Sequence, residues 1–322
     1  MRVAVLVNPS AGGGRAAAVC AGLMPALAGH EAATVRGFGA ELLPGVRALE
    51  APQAAGYVAR VQQAVRALCA GAPELLLLVG GDGFAAYAAD ALLGAGCPVP
   101  RLVGVAGGTA NVGPIIALAE PPASLEGLSY RPVGALEVCD EDGHIAYAFN
   151  DVVLGDTYLT TVDGRTVTAS AEALWRDGRT QPCAPMADIG PVAVEINGRR
   201  ARTRLPRVAQ AVASTLERDR FYGRAVTGLL CFAPDSPYRA ALLLSERAIV
   251  SLADDPLGFE RPALMEQLLF TGADTVTLAG CEDGVSAVID GNPYRRRGRV
   301  RLRYHERLLL AAEREGETTW KC

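Results

Sequence analysis

Glu74-Leu75-Leu76-Leu77-Leu78-Val79-Gly80-Gly81-Asp82-Gly83-Phe84 is the stretch that sets the fold class. From Leu75 to Val79 the residues are apolar without alternation, the pattern of a strand buried on both faces in a parallel sheet. Glycines and one acid then turn the chain, and a helix is expected from Phe84 to about Leu93.

The same unit recurs on either side. Arg2–Val7 reads as a strand, Asn8-Pro9-Ser10-Ala11-Gly12-Gly13-Gly14 as a turn, and Arg15 to about Ala28 as a helix. Ala33–Gly37 reads as a weaker strand, and Ala54–Ala70 as a helix with Val58, Val61, Val65 and Leu68 on one face. Leu102–Val105 is a further strand, followed by Gly107-Gly108-Thr109 and a short helix. Strands alternating with helices predict a Rossmann-like α/β domain over residues 1–122.

Beyond Pro122 the texture changes to short alternating segments separated by turn signals such as Glu141-Asp142-Gly143, Asp163-Gly164, Asn197-Gly198 and Asp283-Gly284. This predicts an all-β, sandwich-like domain over residues 123–305, with one helix at Pro262–Leu269 and a closing helix or tail over 306–322. Arg299, Arg301 and Arg303 alternate with Val300, Leu302 and Tyr304, which reads as the solvated face of a strand.

Composition narrows the function classes. Charged residues are 20% and the net charge is −4, which calls for neither nucleic acid nor an acidic membrane, and 6% aromatic residues make no stacking platform for single strands. No apolar run approaches the roughly 18 residues of a membrane span, and no charged segment leading into an apolar core opens the sequence. The eight cysteines are scattered without C-x-x-C spacing and read as reduced thiols of a cytoplasmic protein. No metal site is expected, since the three histidines, His30, His144 and His305, lack ligand-spaced neighbours in sequence.

Three glycine-rich turns therefore follow three apolar strands. In an open parallel sheet such turns converge on one crevice. Glycines let backbone N–H groups approach a phosphate, and helix N-termini add partial positive charge. The pattern is neither a dinucleotide fingerprint nor a P-loop, because Gly12-Gly13-Gly14-Arg15 lacks a Gly-Lys-Ser/Thr ending. Asp82 admits two readings: a carboxylate that takes a hydroxyl proton or holds Mg²⁺, and an N-cap for the following helix.

Asn8-Pro9-x-x-Gly12, Gly80-Gly81-Asp82-Gly83 and Gly108-Thr109-x-Asn111 resemble, in order, the three signatures of the NAD kinase/diacylglycerol kinase superfamily. Phe149-Asn150-Asp151-Val152-Val153 looks like the Asn-Glu segment of NAD kinases. Gly155-Asp156-Thr157-Tyr158-Leu159 and Asp163-Gly164 look like the branch of archaeal-type NAD kinase relatives and acetoin-catabolism protein X (AcoX), and Asp290-Gly291 resembles a late Asp-Gly pair of the β domain.

The resemblance implies an ATP-dependent kinase with its active site between two domains. ATP would lie on Asn8, Pro9, Ser10, Gly12, Gly13, Gly80, Gly81, Gly83, Gly108, Thr109 and Asn111, with Mg²⁺ as its companion ion. Asp82 would be general base, and Asn150, Asp151 and Asp156 would meet the acceptor. The leading acceptor is the 2′-hydroxyl of NAD or of a related nucleotide or nucleoside. A lipid or polyol kinase and a catalytically silent nucleotide-binding regulator are the alternatives. A homo-oligomer is expected, as in relatives. Phe84 stands where the superfamily usually has Thr, and Asp151 where NAD kinases have Glu. These departures bear on the acceptor more than on the reaction class.

Overall fold

The computed structural model describes residues 1–107, 113–162, 165–184, 188–216, 237–250, 263–282 and 284–313. The chain divides into two compact units, Met1–Gly134 with Glu306–Cys322, and Ala135–His305.

The first unit contains β1 (Arg2–Val7), α1 (Arg15–Leu27), β2 (Glu31–Val35), β3 (Arg47–Leu49), α2 (Tyr57–Cys69), β4 (Leu75–Gly80), α3 (Asp82–Leu93), β5 (Arg101–Ala106) and β6 (Ile116–Leu118). Its parallel strands lie in the order β5-β4-β1-β2-β3, with β6 paired to β5. Every residue of β4 is buried, as its unbroken apolar run requires. Val3, Val5 and Val7 of β1 pack with Leu75, Leu77 and Val79 of β4 and with Val19, Leu23 and Leu27 of α1. The chain leaves β1 towards β2 and β3, then returns to β4 on the other side. The strand order therefore reverses between β1 and β4, the place where α/β sheets open a binding crevice beyond the strand ends.

The second unit is built from β7 (Tyr130–Cys139, entering from the first), β8 (His144–Ala148), β9 (Asp151–Gly155), β10 (Thr157–Val162), β11 (Arg165–Ser170), α4 (Ala171–Asp177), β12 (Ala193–Ile196), β13 (Arg199–Arg200), β14 (Gln210–Thr215), β15 (Ala240–Ser245), β16 (Met265–Phe270), β17 (Thr275–Ala279), β18 (Ser286–Ile289), β19 (Asn292–Tyr294) and β20 (Val300–Ala312). Six strands form a sheet in the order β16-β15-β14-β9-β18-β19. On one face Val152 and Leu154 of β9 join a core with Leu136 and Val138 of β7, Val276 of β17 and Leu302 of β20, so two sheets sandwich it. On the other face Val153 packs with Val212, Val288, Tyr158, Ala169 and Ala171, placing the β10–β11 hairpin and α4 outside the sheet.

Two expectations are corrected. Residues 265–270 form strand β16, paired with β15 from Met265↔Ser245 to Phe270↔Ala240, instead of a helix. Leu, Met, Glu and Gln favour helix locally, but sheet pairing overrides propensity over so short a run. The helix of this unit is α4, which Ser170 caps through Ala173 N–H. Residues 306–312 are strand, with Leu309, Ala311 and Ala312 buried and Ala311 paired to Leu102 of β5, where a helix or tail was expected. The arginines behave as read: Arg301 and Arg303 are exposed between buried Val300, Leu302 and Tyr304.

Candidate functional site

Asn8 follows β1 directly. Its N–H donates to Val79 O at 2.8 Å, tying the first turn to the end of β4. Its side-chain oxygen accepts from Ser10 Oγ at 2.9 Å, and its carbonyl accepts from Ala11 N–H, so Asn8 shapes the turn through Pro9 and Ser10. Gly12 and Gly13 both have left-handed backbones, φ +59° and +61°, and lead to the N-terminus of α1, whose first turn carries no acidic residue.

The three glycine turns stack on one another. A Cβ at Gly12 would overlap the carbonyl oxygen of Gly107, and one at Gly107 would lie 3.2 Å from Gly80 N. A Cβ at Gly80 would lie 2.6 Å from the Phe84 ring. Phe84 is buried, so the aromatic ring fills the space over Gly80, in place of the hydroxyl that a Thr would bring to the turn. Gly81 caps α3, and Gly83 lies in its first turn. Gly108, Thr109 and Asn111 lie outside the described residues.

Asp82 is the first residue of α3, one position inside the N-cap, and Gly81 provides no side-chain cap. Its carboxylate is thus not the N-cap. Its Oδ2 accepts from Gly113 N–H at 2.8 Å, which binds the chain beyond the third glycine turn to the catalytic candidate.

Next to Asn8, Pro9 and Ser10 is a cavity of about 280 Å³, also lined by Arg36, Phe38, Tyr57 and Arg60. Arg36 follows β2, and Arg60 lies on α2 in the turn after Tyr57. Tyr57 stands 6.3 Å from the Phe38 ring; its phenol is pushed up to about 12 by burial, against the pull of Arg60, and so keeps its proton. The sequence reading missed these four side chains, since none belongs to a glycine motif. An apolar and aromatic wall beside two guanidinium groups suits a planar ring attached to phosphates.

In the second unit, Asp290 organises the Asn150 segment. Its carboxylate accepts from the N–H groups of Phe149, Asn150 and Asp151 at 2.8, 2.7 and 3.0 Å. Asp290 and Gly291 form a two-residue turn between β18 and β19, with φ +49° and +77°. Burial, and then the Asp151 charge, push the Asp290 carboxyl up to about 7 against those three donors. Asn150 Oδ1 is buried without a hydrogen-bond partner among the described residues. Asp156 is differently engaged: it accepts from Ser170 Oγ at 2.7 Å and Glu172 N–H at 3.1 Å, anchoring the start of α4.

His144 and His305 are not isolated, as their sequence spacing suggested. Glu137 Oε2 meets His305 Nε2 at 2.8 Å, and Glu137, Cys139 and His144 form a group able to hold a metal ion.

Residues 2–115 match the family model described as diacylglycerol kinase catalytic domain. No curated protein matches the chain. Among solved structures, the fold is similar to that of yeast NADH kinase complexed with NADH (14% identity, TM-score 0.56, covering 99% of this chain and 85% of that one). It is also similar to a diacylglycerol kinase of Bacillus anthracis str. Sterne (13%, TM-score 0.53, 98% of each chain). The NAD kinase of Archaeoglobus fulgidus in complex with ATP is a third (13%, TM-score 0.51, 100% of this chain and 96% of that one). At these identities the structural likenesses carry the fold.

Proposed function

We propose that this chain, a member of the NAD kinase/diacylglycerol kinase superfamily with a kinase-like catalytic domain, is an ATP-dependent phosphotransferase acting on the 2′-hydroxyl of NAD or of a related nucleotide or nucleoside. One observation carries the reading: the stacked turns at Gly12, Gly80 and Gly107 leave no space for side chains, at the strand ends where Asp82 begins α3. The glycines let the three turns pack directly on one another, which gathers the strand ends and the N-termini of α1 and α3 at one edge and suits backbone N–H groups meeting phosphate oxygens there.

The residues fit ATP. The cavity at Asn8–Ser10 takes the base and ribose against Phe38 and Tyr57, while Arg36 and Arg60 attract the phosphates. The N-terminus of α1 adds its unneutralised positive end. Mg²⁺ would be held mainly by phosphate oxygens and water and would neutralise phosphate charge there, leaving the second oxygen of Asp82 for the acceptor proton. Asp82 takes the proton of the acceptor hydroxyl as its oxygen bonds to the γ-phosphorus and ADP departs. Gly113 N–H steadies the other carboxylate oxygen through this step.

Asn150 and Asp151 are assigned to the acceptor. Asn150 Oδ1, which has no partner among the described residues, accepts from a ribose hydroxyl once the acceptor is bound, and Asp290 holds the segment's backbone in position. A lipid alcohol is the second reading, favoured by the diacylglycerol kinase model matched by residues 2–115. Both readings keep the phosphoryl-transfer step.

The test is ATP consumption with Mg²⁺ over NAD, NADH, nucleosides, a diacylglycerol and polyols, with product mass determined. One added phosphate on NAD or a nucleoside is expected. Phosphate added to the lipid alone replaces the first acceptor by the second, and ATP binding without transfer to any of them supports a silent regulator.

A further inference from the structure

Three strands of the second unit bring together side chains that bind transition metals. Glu137 and Cys139 are two residues apart on β7 and so share a face of the sheet. β8 pairs antiparallel with β7, placing Tyr147 opposite Glu137 and His144 opposite Cys139, with an irregularity in register after Val138. Ligand atoms of Glu137, Cys139 and His144 all lie within 4.8 Å of one another, and His144 Nδ1 is 3.7 Å from Glu137 Oε1. His305, on β20, reaches the other oxygen of the same carboxylate, Nε2 to Oε2 at 2.8 Å.

We propose that Glu137, Cys139 and His144 form a binding site for a thiophilic divalent transition metal, of which Zn²⁺ is the best fit, with His305 holding the outer oxygen of Glu137. One oxygen, one sulfur and one nitrogen donor suit Zn²⁺ better than Mg²⁺ or Ca²⁺, which select oxygen. Tetrahedral bonds of about 2.0–2.3 Å place ligand atoms roughly 3.3–3.8 Å apart. The Glu137–His144 pair already has that separation, and the remaining closure needs about 1 Å of side-chain rotation. His144 is exposed, so the fourth position opens to solvent. The contact from His305 is the type of outer hydrogen bond that orients a ligating carboxylate.

The competing account is a plain polar cluster in which Glu137 accepts from two histidines. In that account the Cys139 thiol donates to Glu137 as well, and what favours a metal is that nitrogen, sulfur and oxygen donors of three side chains converge within 4.8 Å of one another. Burial, and then the Glu137 charge, raise the Cys139 thiol, with Arg301 pulling the other way, so the thiol keeps its proton until a bound cation displaces it. The site involves no residue assigned to ATP or the acceptor, so its failure leaves the kinase reading standing.

The test uses the full chain, stripped with chelator and titrated with Co²⁺, whose thiolate complexes show a sulfur-to-cobalt charge-transfer band. One equivalent per chain is expected, with the band present. Cys139→Ser removes the band, His144→Ala weakens binding, and His305→Ala weakens it about 10-fold by loss of the outer contact. Circular dichroism establishes that each variant is folded. Absence of saturable binding, or a band that persists at full strength in folded Cys139→Ser, overturns the proposal.

Discussion

Gly113 donates its N–H to Asp82 Oδ2 at 2.8 Å, and a Cβ on Gly113 would lie 2.9 Å from Asp82 Oδ1 and 3.0 Å from its Cγ. The glycine is thus fitted to the carboxylate, and Asp82 is held by a residue 31 positions away.

Gly113→Ala should therefore displace Asp82 without unfolding the protein. Turnover is expected to drop by about 10- to 100-fold, since small misplacements of a reacting group are costly. ATP affinity should stay near that of the parent. Steady-state kinetics and ligand-induced thermal shift separate the two; a variant with parent turnover would show that the contact does not position the base.

Arg36→Ala and Arg60→Ala test the cavity beside Asn8. Each removes a guanidinium group from a partly solvated site, so each is expected to raise the KM for ATP by roughly 3- to 10-fold, with little change in kcat. Unchanged KM in both variants would remove the cavity from the nucleotide site. The strand run Leu75–Val79 and the three glycine turns made the sheet and its phosphate edge legible in the sequence, because burial on both faces and backbone approach each leave a compositional mark. The two arginines left none. They arrive from the end of β2 and from α2, and only the sheet order brings them beside Asn8.

Phe84→Ala should cost about 3–5 kcal/mol of stability, as expected for an aromatic ring removed from a packed site. The ring covers Gly80, so the loss falls on the turn that carries Asp82. Chemical denaturation measures it. A cost under about 1 kcal/mol would show that the ring is not a packing element of the turn.

Asp290 gives a pH signature. Its folded carboxyl titrates at about 7 against an ordinary value of 3.8, so the folded state holds its proton more tightly than the unfolded state does. The linkage therefore makes this residue's contribution to stability fall as pH rises from about 4 to about 7, and level off above. Asp290→Asn, which cannot ionise, should flatten the stability profile in that window relative to the parent while lowering stability overall, because Asn cannot reproduce a carboxylate that accepts from three N–H groups. Thermal unfolding across that range reads the slope; identical slopes would mean that Asp290 stays ionised.

The second unit was less legible. Asn150 and Asp151 carried a motif, but the clamp at Asp290 is 139 residues beyond Asp151, and only antiparallel pairing of β9 with β18 brings them together. Glu137, Cys139 and His144 lie within eight residues of one hairpin and were open to reading together, whereas His305 reaches Glu137 only through the fold. Residues 265–270 misled for the opposite reason: a short run of helix-favouring residues is claimed by its neighbour β15.

The most direct test of the central claim compares the parent and Asp82→Asn on the acceptor panel with ATP and Mg²⁺, reading product mass. The account predicts one added phosphate with the parent, and a loss of at least about 100-fold in turnover with Asp82→Asn while ATP still raises its melting temperature. A variant that phosphorylates the same acceptor at the parent rate would contradict the assignment of Asp82 as the base.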